Sequence, residues 1–507
     1  MRVTSWMVRW GIALAVIAGI AQTPAHAQTL RIGLAEDPDI LDPTLARTFV
    51  GRIVFAALCD KLVDIDETLK IAPQLATSWD WAPDNKSIVF KLRQGVTFQD
   101  GEPFDAEAVK FNIERHKTMP GSNRRGELVP VTSVDVIDPH TVRLNLSGPF
   151  APLLALLSDR AGMMVSPKAA REAGEKFGAK PVCSGPFKFV ERVAQDRIVF
   201  ERYPGYWNKD AIHFDRVVYL PVVDNTVRLA NLQSGQLDFI ERVAPSDAPA
   251  VARDSRFKLA RLVGLGYQGI TINLAKSDMA QKNPLGRDAR VREAFELSLD
   301  RDAIVQVAME GEALAGNAWV SPKNPYYPKN TPIPKRDVAK AKALLKDAGV
   351  PNPSFTLMTP TTNEAQKLAQ IIQAMAGEAG FDIKIQSTEF STSLDLADKG
   401  QFEAYVLEWS GRSDPDGNVY PMHYTNGAIN YSGYSKPETD AALDDARRSL
   451  DPAERLKAYE RHAAIESKDR PIVYLYHRNW LWAYTGKLSG LRPVPDGLVR
   501  LQDLKFN

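Results

Sequence analysis

A mixed α/β fold is what the 507-residue chain predicts, on three observations. Short hydrophobic segments separated by turn residues fill the first half, as hairpins do. A strand–helix–strand succession marks the second half. Apolar content of 44% with 25% charged residues suits an ordinary globular chain of two or three domains.

In order, Thr29 to Leu34 reads as a short strand and Phe49 to Leu62 as a helix with one apolar face. Thr77 to Trp81 and Ser87 to Leu92 form a hairpin across Pro83-Asp84-Asn85. Asp105 caps a helix reaching about Arg115. Two further hairpins join Ser133 to Ile137 with Val142 to Leu146, and Phe187 to Arg192 with Arg197 to Arg202. Val217 to Val222 is a strand followed by a helix over Asn225 to Gln233. In the second half, Phe355 to Met358, Glu364 to Ala379 and Phe381 to Gln386 form a βαβ unit, whose strands should be parallel. Ala365, Leu368, Ala369, Ile372, Met375, Ala376 and Ala379 recur at helical spacing and mark its buried stripe. A short helix near Thr392 to Ala397 and the strand Ala404 to Trp409 follow. Helices over about Glu438 to Arg448 and Ala453 to Ser467 then precede a long strand, Ile472 to Tyr484.

Lys plus Arg is 63 against 62 for Asp plus Glu, so the basic field that a nucleic-acid or anionic-membrane partner needs is missing. Arg2 and Arg9, the uncharged run Trp10 to Ala21 and the small-x-small triplet Ala25-His26-Ala27 read together as a cleavable export signal. Its apolar run is too short for the ~20 residues that span a bilayer. The expected mature chain starts at Gln28, is exported, and has no cysteine beside the cleavage site to carry a lipid anchor. In an oxidising compartment Cys59 and Cys183 can pair, the alternative being two buried free thiols.

Catalytic motifs are scarce. Gly-x-Ser-x-Gly, His-Glu-x-x-His and the phosphate-binding loop are absent. Gly264-Leu265-Gly266-Tyr267-Gln268-Gly269 spells a dinucleotide fingerprint, but Ile270 to Leu274 after it is a strand pattern where a helix is needed. It reads as a glycine-rich turn between strands. The histidines are not spaced as helical metal pairs, so no metal and no cofactor is expected. Carboxylate pairs cannot be seen in sequence, which leaves an exported hydrolase as a distant alternative. One loop is more informative. The strand ending at Trp409 runs into Ser410-Gly411-Arg412-Ser413-Asp414-Pro415-Asp416-Gly417-Asn418-Val419-Tyr420, beyond the carboxyl end of a strand, where α/β sheets hold ligands. Trp409 offers a stacking face, Arg412 a fork for a carboxylate, and Asp414 and Asp416 acceptors for an ammonium. The same Asp-Pro-Asp-Gly is also ordinary turn chemistry, and Trp409 ordinary core.

In these segments the chain from Gln28 to Asn507 resembles the family 5 extracellular solute-binding proteins, the dipeptide-, oligopeptide- and nickel-binding subunits of ABC importers. The resemblance rests on Ala72 to Trp79, Phe90 to Phe98, Asp100 to Val109, Ser184-Gly185-Pro186-Phe187, Tyr203-Pro204-Gly205-Tyr206-Trp207, Val291 to Phe295 and Tyr431 to Glu438. It implies a two-lobed periplasmic binding protein (class II, type C) with an extra subdomain in lobe I and a two-strand hinge. The hinge strands would be about Tyr267 to Leu274 and Val473 to Tyr484. Behind a signal peptide over 1–27, lobe I would take 28–268 with the subdomain at about 56–183, and lobe II 269–484. A tail over 485–507 would return to lobe I. Cys59 and Cys183 fall at the two ends of the subdomain, which fits a bridge at its base. The family also implies no catalysis, a small solute or peptide as ligand, permease subunits with a separate ATPase as partners, and a monomer.

Peptide binders of the family carry an Asp three residues after the Trp, and dipeptide binders an Arg in the loop before the helix at Glu364. Here those places hold Arg412 and the run Thr359-Pro360-Thr361-Thr362-Asn363. The expected ligand residues are therefore Trp409, Arg412, Asp414, Asp416, Asn418, Tyr420, Thr359 and Thr361. Two readings follow. Arg412 meets an anionic group of a peptide-like, opine-like, glutathione-like or organic-acid solute, or it pairs internally with Asp414 or Asp416 and leaves the pocket neutral.

Overall fold

The computed structural model describes residues 28–507; the expected export signal lies outside the described residues. A twelve-stranded mixed sheet forms the spine. In its first half Thr29–Leu34 runs parallel to Arg216–Pro221 and to Phe239–Ile240, and the hairpin Phe187–Val193 with Arg197–Arg202 extends the edge. In its second half Ser354–Pro360 lies parallel to Asp382–Thr388 and to Ala404–Trp409, which is antiparallel to Tyr267–Ile272. The helix between the two parallel strands, Asn363–Gly377, buries Leu368, Ala369, Ile372 and Ala376, the stripe its spacing predicts. Each such Leu or Ile contributes about 1.5–3 kcal/mol by leaving water.

The strand Ile472–Thr485 joins the halves. Its first residues pair with Tyr267–Ile272, its middle with Ala313–Ala315, and its last with Phe257–Val263 and Phe239–Ile240. Two neighbouring stretches of chain thus cross from one lobe to the other, and Gly264-Leu265-Gly266 is the turn where the first changes partners along the long strand. Glycine is required at that turn. A Cβ on Gly266 would lie 1.6 Å from the Trp409 carbonyl oxygen, and Gly411, at φ +89°, packs against the same point. The letters of a dinucleotide fingerprint serve here as a close backbone contact between hinge and loop.

A separate antiparallel sheet, Ala76–Trp81, Ser87–Leu92, Thr141–Leu146 and Val131–Asp138, forms the extra subdomain. It has its own core, with Phe90, Phe98, Phe104 and Phe150 fully enclosed. Asp105 caps the helix Ala106–Thr118 as expected, accepting from the Ala108 amide at 2.9 Å. Cys59 and Cys183 are bonded at the base of this unit. Residues after the long strand return to the first lobe, where Leu488, Leu498, Val499, Leu501 and Leu504 enter its core.

Candidate functional site

Between the lobes lies a cavity of about 410 Å³, within the range of small-molecule sites. Among the described residues its lining includes eight arginines and four glutamates but no lysine, aspartate or histidine. Which of these charges already have partners decides what the cavity can hold.

Arg412, at the turn after Trp409, is buried and sends Nε to 2.8 Å from Asp159 Oδ2. Asp159 belongs to the first lobe, where its carboxylate caps a short turn by accepting from the Arg160 amide at 2.7 Å. It also meets Arg52 at 2.9 Å. The Arg412 guanidinium lies 4.5 Å from the Trp409 ring centroid, a cation–π contact. Burial lowers Arg412 to about 10, against the pull of Asp159. Burial opposes the charge of Asp159 too, yet Arg412, Arg52 and Arg160 hold its carboxyl well below the usual range.

At the hinge, Arg478 of the long strand pairs with Glu364 and, at 3.1 Å, with Glu408. Arg242 answers Glu36 at 3.2 Å and Glu241 at 3.1 Å. Burial raises Glu408 above the usual carboxylate range despite Arg478 and Arg242. The rim is bridged as well, since Arg47 of the first lobe reaches Asp395 and Asp398 of the second at 2.6 Å each. A main-chain bond from the Ala151 amide to the Arg447 carbonyl, 2.9 Å, and a side-chain bond from Asn363 Nδ2 to Asp224 Oδ2, 3.2 Å, also cross the cleft. Such an arrangement has room for a small solute and offers it polar groups from both sides. Among the described residues no helix is long and apolar enough to cross a membrane, and no group of His, Cys, Asp and Glu is placed to hold a metal ion.

The family described as bacterial extracellular solute-binding proteins, family 5 (middle), matches residues 70–431, well over half of the chain. The chain belongs to this family. Members bind small ligands and work with ABC permeases. The glutathione-binding protein GsiB of Escherichia coli K12 is 29% identical over 514 residues, covering 98% of each chain. Among solved structures, AgaA of A. tumefaciens R10 in complex with agropinic acid is 27% identical with a TM-score of 0.85, covering 94% of this chain and 99% of that one. DppA of Helicobacter pylori, bound to the peptide STSA, is 26% identical with a TM-score of 0.86, covering 94% and 98%.

For this family 5 protein, three of the eight residues expected at the ligand, Trp409, Arg412 and Tyr420, line the cavity. The other five do not, and each has a structural task. Asp414 is held by both outer nitrogens of Arg455, at 2.7 and 2.8 Å, and Asp416 by Arg447, at 2.7 and 2.9 Å. Neither carboxylate therefore pairs with Arg412, and neither is free for an amine. Asn418 clamps the loop: its Oδ1 accepts from the Trp409 indole at 2.9 Å and the Arg412 amide at 2.7 Å, and its Nδ2 donates to the Arg412 carbonyl at 3.1 Å. Thr359 is buried and donates to the Ala365 carbonyl at 3.2 Å; the Thr361 carbonyl accepts from Gln366 at 2.8 Å. Their neighbour Thr362 lines the cavity while capping the helix Asn363–Gly377.

Sequence reasoning missed the charged residues of the hinge and first lobe, above all Arg478, Arg242, Arg124 and Arg160. One signal was available. Arg478 stands in Ile472–Thr485, an otherwise mostly apolar and buried strand, where an ion must have a purpose.

Proposed function

We propose that the protein is the periplasmic substrate-binding subunit of an ABC importer, closing on a small peptide-like or opine-like solute without altering it. The interlobe cavity bridged by Arg412–Asp159 and Arg47–Asp395 carries this reading. A solute that touches both lobes favours closure through its differential affinity for the closed form. The proposed division places 28–268 and the tail 485–507 in lobe I and 269–484 in lobe II, with the long strand as hinge. The relatives named above support the size class: one binds glutathione, one agropinic acid and one a four-residue peptide. Glu364 and Glu408 share Arg478, so this carboxylate pair is engaged in binding architecture rather than hydrolysis. Export by the N-terminal signal, a monomeric state and a separate ATPase complete the proposal. A thermal-melting screen of di- to tetrapeptides, glutathione and opines tests it. At 100 times its dissociation constant a true solute adds about 2.7 kcal/mol of stability and is recovered unchanged. Turnover of a solute, or no melting shift across the whole screen, contradicts the reading.

A further inference from the structure

Apart from Arg47 and Arg447, which are paired with aspartates, the charges around the cavity fall into two groups with opposite imbalance. Around Asp159 gather Arg52, Arg124, Arg160 and Arg412, and the second carboxylate in reach is Glu127, which Arg124 holds. Four guanidinium groups thus share two carboxylates, a formal excess of two positive charges. All four arginines are at most 7% exposed, and Arg124, Arg160 and Arg412 line the cavity. Among the described residues neither Arg124 Nε nor Arg160 Nε has a hydrogen-bond partner. Arg160 donates from Nη1 to the Ala46 carbonyl at 2.7 Å, while its Nε stays 3.7 Å from Asp159. Burial, and then Arg124, push Arg160 well below its ordinary value despite Asp159, as expected where cations outnumber their partners.

The hinge group has the reverse balance. Glu36, Glu241, Glu364 and Glu408 surround three arginines, Arg228, Arg242 and Arg478. Arg228 donates from Nη1 and Nη2 to the Val222, Val223 and Arg242 carbonyls and to Asn225; its Nε has no hydrogen-bond partner and, among the described residues, it makes no carboxylate ion pair. The formal excess is one negative charge, and Glu36, Glu364 and Glu408 line the cavity. Burial makes such imbalances costly, so a solute that cancels them gains most from closure.

We propose that the solute is a zwitterion with two anionic groups, carboxylates in the simplest case, and one ammonium. The anions sit at Arg124, Arg160 and Arg412, and the ammonium at Glu36, Glu364 and Glu408. This deepens the solute-binding reading above and rests on it. Arginine forks match carboxylates by charge-assisted hydrogen bonds, and an ammonium suits a ring of carboxylates. Trp409, Trp480 and Tyr476 also line the cavity and supply an apolar wall for the solute's body. A neutral peptide with one carboxylate and one amine leaves one guanidinium charge uncancelled.

Titration calorimetry of the full chain tests this with four probes: reduced glutathione, its dimethyl ester, its N-acetyl form and trialanine. Glutathione is expected to bind tightest. Esterifying the carboxylates or acetylating the amine should each weaken binding about tenfold or more, the worth of a lost charge-assisted bond. Trialanine should be weaker to a similar degree. In Arg124→Gln the glutathione affinity falls while the ester's stays within about twofold; the comparison among probes on the unmodified chain holds even if that variant folds poorly. Equal or tighter binding of trialanine or of the ester overturns the proposed charge class and leaves solute capture standing. Undiminished binding of the acetylated probe overturns the ammonium half. Silence with all four probes overturns the charge class, and the melting screen above then decides separately whether the chain binds a small solute at all.

Discussion

The loop after Trp409 and the cluster around Asp159 are both dense in arginine and carboxylate, and they lie within reach of one another, yet their charges are used differently. In the loop the count closes. Arg455 takes Asp414 and Arg447 takes Asp416, each through two hydrogen bonds, and the pairs fix the geometry of the segment that presents Trp409 and Arg412. Around Asp159 the count does not close, and cations line the interlobe cavity with donors unspent. On the proposed assignment, ionic residues hold the wall where they are balanced and read the solute where they are not. Charge alone, as seen in sequence, does not separate the two uses.

The largest expected effect breaks the balanced side. Arg447→Ala leaves Asp416, 1% exposed, without its partner, and removes a guanidinium stacked 3.0 Å over the Tyr420 ring centroid. The expected loss is about 3–5 kcal/mol of stability, read by denaturant unfolding. The rim pair gives the contrast. Asp395 and Asp398 keep roughly half of their side-chain surface in water, so Arg47→Ala should cost no more than about 1 kcal/mol and lose its effect as salt is raised. If the two variants lose equal stability, the distinction between wall and rim fails.

A smaller and differently signed effect comes from pH. Among the described residues no histidine lines the cavity, so no imidazole titration should enter the solute affinity between pH 6 and 8. Stability should not be. Burial lowers His116 and His423 to about 3 and His477 to about 4, so these rings stay neutral in the folded chain. Below about pH 6.5 the unfolded chain takes up protons that the folded chain refuses, and stability falls by at most about 1.4 kcal/mol per pH unit for each ring. Asp60 works in the other direction. Burial raises it to about 7 despite bonds from Trp207 and Tyr206, so its protonated form favours folding below that pH and the contribution is lost as pH rises toward it. Melting curves at pH 5 and 7.5, with calorimetry at 6 and 8, separate the two behaviours. An affinity that follows the histidine titration contradicts the assignment of the poles to arginine and glutamate.

Much of the framework was legible because its signals are local. Pro83-Asp84-Asn85 turns a hairpin, Asp105 caps its helix, and Ala404–Trp409 has the bounds its pattern gives. Asp416–His423 was hidden. With Gly417 near its start and Pro421 inside, the segment has poor helix propensity, and Asp414-Pro415-Asp416-Gly417 looks like a turn. The helix stands because Arg447 and Arg455, from two later helices, hold its entrance. The site divides likewise. Trp409, Arg412 and Tyr420 sit in one loop and could be read together, whereas Asp159 meets Arg412 across 253 residues of chain and Arg478 meets Glu364 across 114. Pairings of that span depend on how the lobes close, which no local pattern records. For the same reason the loop's own aspartates looked available for a ligand.

Small-angle X-ray scattering of the purified chain, empty and with saturating glutathione, tests most directly that two lobes close on a small zwitterion. The account predicts a smaller radius of gyration with solute bound, together with glutathione recovered intact. Superimposable scattering curves at saturation would contradict it.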